Sequence, residues 1–342
     1  MKKKNKIEAR KARDFVLKKS KEIAGLIVKG HNFDKKLSLK EFVKAYKQIG
    51  FQATRLARAI EIIKAMQKEK AKIFFGYTSN IISSGLRDII AWLVKYKKVH
   101  VLVTTGGGIE EDIIKVLKPF YLQEESNMAN LSDKELREKG INRIYNILLP
   151  NSNYVTFENF IMPFFDWIYE NYAAKNKVIS ASEFVERLGY WLEKKKVKGR
   201  KSSIIYWAYK NKIPVFCPTL TDGSIGDMLY FYSMYRKRKI DIDIVADTVK
   251  INEITIKAKK TGIISLGTGV VSHYMLNANL FRNGSNYAVY ITTARPEDGS
   301  AAGASPSEAV SWGKISGKEG KWVKVYGDAT IIFPLIVTGA FL

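Results

Sequence analysis

Val99-His-Val-Leu-Val103 runs into Thr104-Thr-Gly-Gly-Gly108 and then into the apolar-periodic stretch Ile109–Leu117. A short β-branched run, a turn of Thr and Gly, and a helix-like segment form the repeating unit of a mostly parallel sheet. The unit recurs along the chain. Ile73-Phe-Phe75 leads to Ser79-Asn-Ile-Ile-Ser-Ser-Gly85 and Leu86–Val94, and Pro214-Val-Phe216 leads to Thr219–Gly226 and Met228–Met234. Ile263-Ile-Ser-Leu266 leads to Gly267-Thr-Gly269 and Val270–Leu280, while Ala288-Val-Tyr-Ile291 opens a long polar loop. The pattern predicts an α/β fold, a mostly parallel sheet flanked by helices. Ligands of such sheets bind at the carboxyl ends of the strands, on these turns.

Upstream, Ser38 and Glu41 fit a capping box that opens a helix with Leu39, Phe42, Val43 and Tyr46 on one face; Gly50 interrupts it, and Leu56, Ile60, Ile63 and Met66 follow with helical spacing. The first thirty residues are lysine-rich with modest helical periodicity (Phe15, Ile23, Ile27). The expected organisation is a basic arm over residues 1–29, an N-terminal helical extension, and one large domain over 30–342. Lys194–Ser202 reads as a charged surface loop, and Ile331-Ile-Phe-Pro-Leu-Ile-Val337 is too short for a membrane span and fits a buried element.

The chain has 342 residues, 57 basic against 33 acidic, for a net charge of +24. A polyanionic partner and a lysine-rich, solvated surface both account for this; the lysines scatter along the whole chain and no nucleic-acid-binding signature accompanies them. A lone cysteine, Cys217, excludes an internal disulfide and a Cys-rich zinc site. The basic N-terminus lacks a secretory apolar core, so the expected compartment is the cytoplasm.

Several turns carry residue types suited to a nucleotide. Ser79–Ser83 offers hydroxyls and amides at a helix start, and Thr104–Gly108 and Gly267-Thr-Gly269 let backbone approach a ligand. No GxGxxG fingerprint is present. Glu110-Glu-Asp112, Asp222, Asp227, Asp298 and Glu308 lie on or beside these turns. They suit a cationic small molecule, or equally they compensate helix N-termini; the residues alone leave both readings open. Three scattered histidines and one cysteine make a metal centre unexpected. His31 and His100 read as structural, whereas His273 stands early in a helix, where the dipole favours the neutral imidazole. Lys314 beside Trp312 is either an ordinary surface lysine or an amine nucleophile in an aromatic setting.

Several strings in order decide between these readings. They include Gly50-Phe-Gln-Ala-Thr54, Gly76-Tyr-Thr-Ser-Asn80, Leu102-Val-Thr-Thr105, Gly140-Ile-Asn-Arg143, Leu220-Thr-Asp-Gly-Ser224, Asn277-Ala-Asn279, Arg282-Asn-Gly284, Tyr287-Ala-Val-Tyr290 and Glu308-Ala-Val-Ser-Trp-Gly-Lys314. From about Gly30 to its end the chain resembles the deoxyhypusine synthase family. The last string surrounds the lysine that carries that family's covalent intermediate. The resemblance implies a Rossmann-like sheet and NAD held by Ser79, Asn80, Ile81, Ile82, Ser83, Thr105, Gly106, Gly107, Glu111, Asp222, Thr268, Thr293, Ala294, Asp328 and Ala329. It implies spermidine at Glu110, Glu111, Asp227, His273, Asn277, Asp298, Gly299, Ser300, Ala301, Glu308, Trp312 and Lys314, with Lys314 and His273 catalytic. It also implies the translation factor 5A precursor as acceptor and a homotetramer with shared sites, without membrane or nucleic-acid partners.

The chain departs from the family pattern at Thr268, where a glycine is usual, at Ser272-His-Tyr274, at Arg295-Pro296, and at Ala302, where a serine is usual. Homospermidine synthase, with putrescine as acceptor, is the nearest rival. A silent polyamine- or RNA-binding protein is the rival from another class; intact His273 and Lys314 argue against it.

Overall fold

A computed structural model describes residues 2–124 and 132–342. Six strands form the central sheet: β1 (Lys72–Tyr77), β2 (Val101–Val103), β3 (Val215–Phe216), β4 (Thr261–Leu266), β5 (Tyr287–Thr292) and β6 (Lys321–Tyr326). Their spatial order is β3-β2-β1-β4-β5-β6, and every pairing is parallel. This is the order of a doubly wound dinucleotide-binding sheet, whose ligand crevice opens where the order reverses. Here that point lies between β1 and β4.

Successive strand residues face opposite sides, and both sides are covered. Ile73, Phe75 and Tyr77 of β1 join Ile264, Val289 and Phe333 in one core, against helices Phe51–Lys68, Leu86–Lys95 and Ala329–Phe341. Phe74 joins Ile263, Ala288 and Tyr290 in the other, against helices Ile244–Ile256, Val270–Leu280 and Pro306–Ser311. Strands β1 to β5 are therefore nearly continuously apolar, which is why short β-branched runs marked them in the sequence, whereas β6, at the edge of the sheet, alternates and carries Lys321 and Lys324.

The expected elements form with extended bounds. β1 gains a residue before Ile73 and two after Phe75, and the helix after β2 begins at Gly106. Both halves of the Ser38–Glu41 capping box are made, and Gly50, at φ 101°, breaks the chain between helices Leu39–Ile49 and Phe51–Lys68. Val43 is buried, but Leu39 lies exposed. The short apolar run 331–337 belongs to the longer helix Ala329–Phe341, which carries Pro334 inside it. The basic segment is helical only over Lys2–Val16; Ile23 and Ile27 continue no helix and stand in solvent. A three-stranded antiparallel sheet (Tyr121–Leu122, Ile147–Pro150, Ile141–Ile144) and a small parallel pair (Ile179–Ser180, Ile242–Asp243) were not legible, because strands this short leave no period to read. His31 stacks on Phe42 at 4.3 Å, and His100 accepts the Ile73 amide at Nδ1, 3.0 Å, so both serve the scaffold.

Asp112 fixes the register of three helices. It is fully buried and accepts from Arg87 Nε (2.7 Å), Ser203 Oγ (2.6 Å) and the amides of Ile204 (3.2 Å) and Ile205 (3.0 Å). Its carboxylate thereby completes the N-terminal turn of helix Ile204–Asn211 while neutralising a buried guanidinium. Removing one partner of a buried pair strands the other charge, at a cost of about 3–5 kcal/mol. Asp112→Ala is expected to lower unfolding stability by that amount in urea titrations. An unchanged midpoint would show that the network holds nothing together.

Candidate functional site

Every turn named for a nucleotide emerges at the same edge of the sheet. The short helix Ser79–Ser83, which carries Asn80, Ile81 and Ile82, follows β1. Thr105, Gly106 and Gly107 follow β2, Asp222 follows β3, and Thr268 follows β4; Thr293 and Ala294 follow β5, and Asp328 and Ala329 follow β6. The first turns touch. A methyl group on Gly106 would stand 2.4 Å from Asp222 Oδ1 and one on Gly107 2.6 Å from Ser79 Cβ, so only glycine lets these loops close on one another. Thr105 and Thr219, and Thr104 beneath them, bury hydroxyls that no group among the described residues meets. Unpaired buried hydroxyls beside a side-chain-free cradle fit the phosphates and riboses of a dinucleotide.

The acids beside this crevice settle differently from one another. Glu110 Oε2 accepts the Ile225 amide at 2.8 Å, completing the first turn of helix Ser224–Arg236. Glu111 accepts from Ser83 Oγ. Burial raises both carboxyls above the usual range, Glu111 to about 7. Lys115 donates to the carbonyls of Ile82 (2.9 Å), Ser83 (3.0 Å) and Ser84 (2.8 Å), closing the end of the Ser79–Ser83 turn, and burial depresses its ammonium. Asp227 stands in the first turn of its own helix.

A second site, a cleft of about 510 Å³, lies between helix Val270–Leu280 and the segment 299–314, with Tyr290 of β5 also lining it. Lys314 Nζ stands 3.4 Å from His273 Nε2, and the Asn277 amide meets His273 Nδ1 at 3.2 Å. The Lys314 ammonium sits 5.4 Å from the Trp312 ring, and Glu308 completes the polar lining. Partial burial, then the charge of Lys314, lower the imidazole's proton affinity and favour its neutral form.

Gly299, Ser300 and Ala301 line this cleft, whereas Asp298 turns back to accept the Ser300 amide at 2.7 Å. Glu110, Glu111 and Asp227 are not among its walls. The structure thus brings together His273, Asn277, Glu308, Trp312 and Lys314 but not the whole acid set. Leu276 and Leu280 were missed as lining residues, although His273, Leu276, Asn277 and Leu280 follow i, i+3, i+4, i+7 spacing. Tyr290 left no such signal. Among the described residues no group of three or more His, Cys, Asp or Glu side chains is placed to hold a metal ion, and no helix is long and apolar enough to cross a membrane.

Three comparisons with known proteins agree with one another. The family model for deoxyhypusine synthase matches residues 41–340. A Pyrococcus furiosus protein named "Probable deoxyhypusine synthase" is 53% identical over 96% of this chain and 98% of its own length. A Schizosaccharomyces pombe protein of the same name is 48% identical, over 89% of this chain and 87% of its own. A solved structure from Entamoeba histolytica, named for the same activity, superposes with a TM-score of 0.63 at 29% identity, covering 92% of this chain and 96% of that one.

Glu111 offers a test of the crevice electrostatics. A carboxyl raised on folding is favoured while protonated, so its stability contribution is lost as pH rises from the unfolded value near 4.5 through about 7. Glu111→Gln keeps a partner for Ser83 and abolishes the ionisation. The ligand-free variant is expected to be more stable than the parent above pH 7, by up to roughly 3 kcal/mol, with no gain at pH 4. Equal pH profiles for the two proteins would refute the assigned burial of this charge.

Proposed function

We propose that this chain, which belongs to the deoxyhypusine synthase family, moves the aminobutyl group of spermidine through an imine on Lys314 to a lysine of the translation factor 5A precursor. The observation that carries the reading is the pairing of the Lys314 amine with His273, 3.4 Å apart, in a cleft walled by Trp312 and Glu308.

NAD is the cofactor this reading assigns. Ser79 to Ser83, Thr105, Gly106, Gly107, Glu111, Asp222, Thr268, Thr293, Ala294, Asp328 and Ala329 would hold it across the crevice. When bound it would supply the hydride acceptor that makes the donor polyamine electrophilic and later return that hydride to the imine on the acceptor lysine, so none is consumed.

The remaining steps belong to the chain's own groups. Glu308 and the carboxylates named for the donor attract its ammonium groups, and the Trp312 face packs its methylenes. His273, neutral by its surroundings, takes a proton at Nε2; the Asn277 amide, which can offer either its oxygen or its nitrogen to Nδ1, steadies the ring in either tautomer. Freed of its proton, the Lys314 amine attacks the oxidised carbon of the donor. The carbon–nitrogen bond to diaminopropane breaks, that amine leaves with a proton, and the four-carbon unit remains as an imine on Lys314. The acceptor lysine then displaces Lys314 from the imine carbon.

A cytoplasmic homotetramer with sites shared between paired subunits belongs to the same proposal. Val245, Val249 and Ile256 expose an apolar face on helix Ile244–Ile256, and Leu280, Phe281 and Trp312 are likewise exposed around the cleft. Such faces suit burial against a second copy. A partner subunit would bring carboxylates that one chain keeps away from its own Lys314. The arm over residues 1–29, separate from the domain over 30–342 in this reading, exposes Ile23, Leu26, Ile27 and Val28 and would cover a neighbour's site.

With NAD and labelled spermidine, borohydride should trap a label on the peptide containing Lys314. Lys314→Ala should lose the adduct while retaining some spermidine oxidation, and Lys314→Arg should be no better, since a guanidinium stays protonated. Label reaching putrescine instead of the factor 5A precursor would assign the homospermidine reaction. No trappable adduct would sink the mechanism.

Mixing tests the shared site. Lys314→Ala and Asp227→Ala chains, each inactive alone, should recover roughly a quarter of wild-type activity when co-refolded, because half the pairs are hybrids with one intact site of two. Failure to recover any activity would place both residues in one chain's site.

A further inference from the structure

The loop that follows β5 is gripped from both sides at neighbouring carbonyls. Thr268, from the turn after β4, donates its hydroxyl to the carbonyl of Ala302. Lys324, from β6, donates its ammonium to the carbonyl of Gly303. Between the two, the loop closes on itself: the Gly303 and Ala304 amides both reach the Ser300 carbonyl at 3.1 Å. A methyl on Gly303 would stand 1.6 Å from the Arg295 carbonyl oxygen, so the two ends of the loop are pressed together. The segment clamped in this way supplies Gly299, Ser300, Ala301 and Ala304 to the wall of the Lys314 cleft. Neither Thr268 nor Lys324 lines that cleft.

We propose that Lys324 and the Thr268 hydroxyl are positioning residues, which hold the 295–305 loop in the shape that receives the polyamine. The inference rests on the polyamine reading of the cleft. A lysine placed close to a polycation site is unfavourable unless its charge is engaged elsewhere, and here the ammonium is bonded to a loop carbonyl, with Glu308, Glu297 and Asp298 in its electrostatic surroundings. Thr268 ties the same loop to the crevice turn at the strand-order reversal, so the side chain that departs from the family's glycine has a function in this chain: it joins the two halves of the site.

The test has a structural arm and a kinetic arm. In the ligand-free protein, hydrogen exchange across residues 299–305 should be about ten-fold faster in Lys324→Met and in Thr268→Val, with the strand β1 amides unchanged. With NAD saturating, KM for spermidine should rise roughly ten-fold in Lys324→Met and about five-fold in Thr268→Val, the charged bond counting for more than the neutral one. Thr268→Ser, which restores the hydroxyl, should bring KM and loop exchange back toward the parent. Unchanged exchange in the loop, or no recovery in Thr268→Ser, overturns the clamp. A lower KM in Lys324→Met also overturns it, since the ammonium would then only have repelled the substrate. If the parent neither binds nor turns over spermidine, the functional reading fails while the exchange arm still decides the clamp.

Discussion

The architecture depends on carboxylates that finish helices other than their own. A helix begins with amides that nothing inside it can satisfy, and a buried beginning must find acceptors elsewhere. Asp112 serves helix Ile204–Asn211, Glu110 serves helix Ser224–Arg236, and Asp247 accepts the Ser182 amide in the first turn of helix Ala181–Lys194. Each bond therefore fixes where one element stands relative to another. The crevice inherits this rigidity, because Glu110 and Asp112 share the helix whose first residues form the glycine cradle.

The same constraint explains what the sequence could and could not disclose. Strands, glycine turns and the helices after them were legible, since a buried parallel strand writes itself as an apolar run and a close approach as glycine. The acid string Glu110-Glu-Asp112 was ambiguous between ligand binding and helix-terminus compensation. Both readings assumed that an acid would serve its own helix or a ligand. Glu110 and Asp112 also accept from partners 115 and 92 residues along the chain, Ile225 and Ile204, a separation no local pattern encodes. Lys324 was invisible for the same reason: in a strand it is one lysine of many, and only the fold brings it to Gly303. Lys314 stood out because of the string around it rather than by its own chemistry, and the adjacency to His273 was added by the packing of helix Val270–Leu280.

A net charge of +24 would oppose the polycationic substrate proposed for the cleft if total charge decided binding. Locality outweighs the total. Salt screens exposed charges beyond about 8–10 Å, so scattered surface lysines act weakly on a ligand held inside a cleft. Close by, Glu308 faces the cleft, and Lys324 is engaged by a carbonyl. What a ligand in the cleft would meet is set by a handful of near groups, and the global excess governs solubility and long-range encounters instead.

Cys217 has a practical consequence. It is the only thiol in the chain, it is 1% exposed, and burial pushes its ionisation far up, both of which oppose reaction with ordinary thiol reagents. The natural protein is therefore already a silent background for spectroscopy. A single cysteine introduced on the surface, for instance on the exposed arm at Ser20, would carry a dye or spin label at one known address with no need to delete a native thiol. The placement of that arm, and any self-association that brings two labels within range, become directly measurable on an otherwise unaltered sequence.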